Sequence, residues 1–135
     1  MNLLTPTLRA ALLASCERGL DGSAHDPAPL VKLFSPLGPA TWLASELYPD
    51  GDTLFGPSAK LTTGLADLGF GCPELGTFSL GELARVRLPF GLGIERDIAF
   101  SSEFPLSRWA EAARAAGSIL DAERLLTRGG PSGGD

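Results

Sequence analysis

Reactive side chains are scarce in this 135-residue chain, which has two cysteines, one histidine, one tyrosine and one methionine. With so few soft ligands no His/Cys group reaches metal-ligand spacing, and no metal is expected. No glycine-rich segment ends in Gly-Lys-Ser/Thr, and no nucleophile elbow presents a serine for the lone His25 to activate. Asp50-Gly51-Asp52 has the opening of a calcium loop without its other ligands. No apolar run approaches the roughly 20 residues that cross a bilayer, so no membrane partner is expected. No basic stripe is present to neutralise phosphates, which argues against direct nucleic-acid binding. The opening MNLLTPTLRAALLASC lacks the basic start of a secretory signal, and Pro6, Arg9 and Glu17 interrupt its apolar stretch. It reads as a helix of a cytoplasmic protein. No cofactor is expected.

What remains has the composition of a globular protein, 44% hydrophobic and 20% charged, long enough to bury a core without disulfides or metal. The formal net charge of −5 is concentrated. Between residues 41 and 82, Glu46, Asp50, Asp52, Asp67, Glu74 and Glu82 face Lys60 alone, whereas residues 1–40 balance. Residues 83–128 carry seven arginines against six acids, a surplus that Asp135 cancels. Cys16 lies in step with Leu8 and Leu12 on one helix stripe and reads as a reduced core thiol. Cys72 sits in a glycine-flanked turn with no neighbouring histidine to activate it.

Thr5-Pro6 is an N-cap followed by a proline at the first helical position, and Gly19 is a stop, which predicts a helix over 6–18. LDGSAHDPAP is a loop in which His25 is expected to be merely solvated. LVKLFSP and ATWLASELYP predict two strands. In the second, Leu43 and Leu47 share one face, while Trp42, Ala44, Glu46 and Tyr48 share the other. Residues 49–52 form a turn, TLFGPSAKLTTGLADLG one or two strands, and LGTFS another. Ser79 and Glu82 have the spacing of a capping box opening a short helix that Pro89 ends. GIERDIAF alternates as a half-buried strand with Ile94, Ile98 and Phe100 inward. Arg96 falls on the same side and needs a carboxylate if buried. Ser107 caps a helix that stops at Gly117, residues 119–128 form a last helix, and 129–135 are a disordered tail. This order predicts the α+β class, with one domain over 1–128 built as an antiparallel meander and helices mainly on one face.

One constellation carries chemistry. If neighbouring strands gather Glu46, Asp67 and Glu74, each raises the others' pKa, as an acid/base pair or a weak magnesium site requires, with Lys32 and Arg96 as countercharges. The structural alternative has Asp67 and Glu74 bonding turn amides while Arg96 pairs with Glu46. Trp42 and Tyr48 beside Glu46 make a ligand surface, or an edge for self-association, unless both faces are covered and the aromatics are core.

The blocks LLTPTLRAALL, VKLFSP, ATWLASELYPD, LADLGFGCPELGTFSLGEL, GLGIERDIAF and PLSRWAEAARAAG resemble, in order, those of a bacterial family known as domain of unknown function 2958, over residues 3–117. The resemblance implies a small protein of plasmid or other mobile-element context and assigns no reaction. Its signature positions fall on Thr41, Trp42, Glu46, Pro49, Asp50, Asp67, Pro73, Glu74, Glu95, Arg96 and Asp97, and residues 57–64 look like an insertion. The expected function is a non-enzymatic accessory role, in which a protein partner docks on the acidic sheet region through Trp42, Glu46, Asp50, Asp67, Glu74 and Arg96. The alternative is a small hydrolase or lyase whose carboxylates act as acid and base or hold magnesium.

Overall fold

The computed structural model describes residues 3–21, 25–58 and 74–129. Helix α1 (Pro6–Arg18) begins as the sequence dictates. The Thr5 hydroxyl accepts from the Leu8 amide at 3.1 Å, and Pro6 fills a position whose N–H has no helical partner. Gly19 ends α1 without a left-handed turn, its φ being −81°, and the chain continues as a short 3₁₀ turn over Gly19–Asp21.

Strands β1 (Val31–Phe34), β2 (Thr41–Ala44), β3 (Glu46–Leu47), β4 (Thr53–Ser58), β5 (Glu74–Ser79) and β6 (Glu95–Arg96) pair antiparallel throughout. They divide between a β2-β1-β6 sheet and a β3-β4-β5 sheet. β2 and β3 are one run of chain bent at Ser45, which is fully buried. The Ser45 amide donates to the Phe55 carbonyl at 2.9 Å, so the strand leaves the first sheet for the second without orphaning its backbone. Through that shared strand the order becomes β6-β1-β2/β3-β4-β5, a meander of sequence neighbours with β6 returning beside β1.

Helices α2 (Leu80–Ala84), α3 (Leu106–Ala116) and α4 (Ile119–Gly129) complete the α+β fold. Helical cover lies on both faces of β2, because its alternate residues enter different cores. Trp42 and Ala44 join Leu12, Val31, Leu33, Leu47, Leu54 and Phe78, whereas Leu43 joins Trp109, Ala112, Ala113, Ile119, Ala122 and Leu126 of α3 and α4. Trp42, 3% exposed, is therefore a core residue and presents no aromatic surface to a ligand or a second copy. Lys32 faces α4 at 8% exposure, its charge met by Glu123 at 2.6 Å and Asp97 at 3.6 Å.

Three local expectations are corrected. The GIERDIAF strand shrinks to β6, because Asp97 turns the chain. Its carboxylate accepts from the Ala99 amide at 3.0 Å and its carbonyl from the Phe100 amide at 3.2 Å, leaving Ile98 87% exposed. Arg96, opposite Leu33, faces the apolar side as expected but donates to the Leu3 carbonyl at 2.8 Å instead of a carboxylate. Ser107 is not the cap of α3, whose cap position is Pro105. The Ser107 amide, one of the helix's orphan donors, instead bonds the Asp26 carboxylate at 3.0 Å, as does its hydroxyl. At the other end, Gly117 at φ +90° closes α3 in the left-handed conformation that glycine adopts without steric cost.

Asp67, Cys72, residues 59–64 of the apparent insertion and residues 130–135 of the expected tail lie outside the described residues. Among the described ones, no helix is long and apolar enough to cross a membrane. Leu43 is the β2 side chain in the α3–α4 core, so Leu43→Ala is expected to lower the unfolding free energy by about 2–5 kcal/mol in a urea titration. A loss well under 1 kcal/mol would show that these helices are not seated on β2.

Candidate functional site

Glu46 opens β3 directly after the Ser45 bend, and the bend decides where its carboxylate goes. Among the described residues it meets neither Arg96 nor a second carboxylate but His25, whose Nε2 stands 3.0 Å from Oε2, the side chains being 20% and 15% exposed. The oxygen lies off the ring N–H axis, so this is a charge contact when the ring is protonated rather than a straight hydrogen bond.

His25 is far from a solvated loop residue. Its neighbour Asp26 is bound to the start of α3, the Pro27 carbonyl accepts from the Leu106 amide at 2.9 Å, and Pro29 is fully buried. These anchors hold the loop within one to four residues of the ring. Gly19 then makes room for it, since a Cβ there would stand 2.8 Å from His25 Cδ2 and 3.3 Å from Glu46 Oε2. Gly19 thus serves a close approach between the end of α1 and the imidazole.

The pair sits in an open groove of about 540 Å³ whose walls include Cys16, Leu20, Tyr48 and Phe55. Burial, followed by the charges of Glu46 and Glu17, raises the pKa of the Cys16 thiol. Burial, then Glu46 and Cys16, likewise raises that of the Tyr48 phenol. Both groups therefore stay protonated at neutral pH, which makes them donors and leaves Cys16 a poor nucleophile. The groove thus combines a carboxylate, an imidazole and two protonated donors between apolar walls.

Of the remaining sequence candidates, Trp42, Asp50 and Arg96 do not line this groove. The Asp50 carboxylate accepts from the Asp52 and Thr53 amides at 2.8 and 2.9 Å and from the Thr53 hydroxyl at 2.8 Å, bonds that hold its pKa below the ordinary value. Asp52 accepts from the Ser79 hydroxyl at 2.7 Å and the Gly81 amide at 2.5 Å, tying the 49–52 turn to the start of α2. Trp42 is interior, Arg96 is bound to Leu3, and the Glu74 backbone pairs opposite Ser58. Asp67 lies outside the described residues. Among these residues no three of His, Cys, Asp and Glu are placed to hold a metal ion. His25 is the residue that sequence reasoning undervalued. The available signal was the run His25-Asp26-Pro27-Ala28-Pro29, in which a helix-capping residue type and two prolines stiffen the backbone beside the ring.

This chain belongs to the family described as Protein of unknown function (DUF2958), whose model matches residues 3–120 and so takes in every groove residue named above. No curated protein and no solved structure matches the chain.

Two outcomes are expected from this geometry. Gly19→Ala should push the ring off Glu46, displacing the resonances of the chain's one histidine; unchanged resonances would show that the ring does not lie against position 19. For Asp50, a folded-state pKa below the unfolded one means that its contribution is present above the ordinary carboxylate range and lost as pH falls through the lowered value. The stability deficit of Asp50→Asn should accordingly be largest near neutrality and disappear by about pH 2. A deficit that persisted in acid would deny the turn bonds their role.

Proposed function

We propose that this protein handles a small molecule in the His25–Glu46 groove by proton transfer, with His25 as general base and acid and Glu46 as the countercharge beside the ring. One observation carries this reading: the sole imidazole and a half-buried carboxylate are 3.0 Å apart in a concave site, each placed by a different part of the chain. A neutral imidazole can take a proton from water or from a bound hydroxyl. The protonated Tyr48 and Cys16 can donate to a substrate oxygen, while Leu20 and Phe55 offer apolar contact. The hydrolase or lyase alternative is thereby favoured in altered form, with imidazole replacing the second carboxylate or magnesium as the partner of Glu46.

Docking of a protein on the acidic sheet region draws support from Asp50, Asp52 and Glu82, which are exposed. Arg9 reaches the Gly51 carbonyl at 3.1 Å, however, and the guanidinium of Arg85 and the carboxylate of Asp52 both flank Gly81. Cations therefore intersperse that corner, and the docking reading is the weaker. A free, buried Cys16 supports a reducing, cytoplasmic setting. The mobile-element context implied by the resemblance is compatible with either role.

The test uses p-nitrophenyl acetate, an activated ester on which an accessible imidazole acts as base or nucleophile and which presumes no natural substrate. Wild type is expected to hydrolyse it at least about 10²-fold faster than His25→Gln, with Glu46→Gln between the two. Equal rates in three folded proteins would overturn the proposal.

A further inference from the structure

The turn after α2 holds a residue in a conformation its side chain opposes. Phe90 has φ 67° and ψ 20° and is the one non-glycine residue with positive φ among those described. It follows Pro89 in a tight turn that the Leu92 amide closes on the Pro89 carbonyl, where Phe90 and Gly91 both have positive φ and glycine, asparagine or aspartate normally fills the two central positions. A bulky side chain there is strained, and such strain persists at sites where it serves a purpose. Phe90 returns no core contact for it, being 90% exposed. Next to this turn, Leu3, Val86, Leu92 and Ile94 line a cleft of about 330 Å³ with Arg87 and Glu95 also on its walls. A cavity of about 150 Å³ already accommodates a benzene ring. Arg87 donates only to the Ala84 and Val86 carbonyls among the described residues.

We propose that this face is a homodimer interface, in which Phe90 of each copy enters the Leu3–Val86–Leu92–Ile94 cleft of the other across a two-fold axis. The occupant is a second copy because knob, hole and both signs of charge lie on one patch. An isologous contact needs a patch complementary to itself, and here Arg87 of each copy meets Glu95 of the other. The interface does not depend on the His25–Glu46 groove.

Sedimentation velocity of the full chain over a concentration series tests this. Wild type should dimerise, and Phe90→Gly should remain monomeric while folding normally, since glycine suits that backbone. R87E and E95R should each weaken the dimer at least about tenfold, and the R87E/E95R double variant should restore it. A monomeric wild type, a Phe90→Gly protein that dimerises like wild type, or a double variant no tighter than the singles would each overturn the proposal.

Discussion

The buried bend at Ser45 is the constraint on which the rest of this structure depends. It lets one strand serve two sheets, because the Ser45 amide finds the Phe55 carbonyl as soon as the pairing with β1 ends. Before the bend, alternation sends Trp42 and Ala44 into one core and Leu43 into the other, so helices are held on both faces. After it, Leu47 returns to the first core and Glu46 turns into the groove. A straight strand would have kept its carboxylate on the Trp42–Ala44 face, inside the first core.

Three separated segments meet at Glu46: the C-terminal end of α1, the loop leading to β1, and β3. None of them is held there by Glu46 alone. Asp26 and Pro27 fasten the loop to α3, the first core fastens α1, and the missing side chain at Gly19 lets the imidazole approach. The ring is placed by backbone contacts and a helix terminus, which confine it more tightly than a lone charge contact would. The carboxylate in turn sets the chemistry of its surroundings, as a negative charge that contributes to the raised pKa of both Cys16 and Tyr48.

Features governed by neighbours in sequence were legible before the fold was known. The Thr5-Pro6 start of α1, the Asp50 turn, the Ser79 cap and the Gly117 stop are of this kind, and each depends on residues within about one turn of chain. So was part of the meander, because the short connections from β1 to β2 and from β3 to β4 leave those strands little choice but to pair. Expectations failed where a distant residue supplied the decisive bond. Asp26 serves α3 in place of Ser107 across a sequence separation of 81, and the Leu3 carbonyl takes Arg96 across 93. The partner of Glu46 was hidden for the same reason. His25 lies 21 residues earlier in a loop whose rigidity comes from α3, so neither spacing nor periodicity points to it.

A double-mutant cycle on His25→Ala and Glu46→Ala, read as unfolding free energy near pH 6, tests most directly whether these side chains form a unit. Direct contact should leave the two losses non-additive by about 0.5 kcal/mol or more. Losses that simply add would contradict the contact, and with it the acid–base role assigned to the groove.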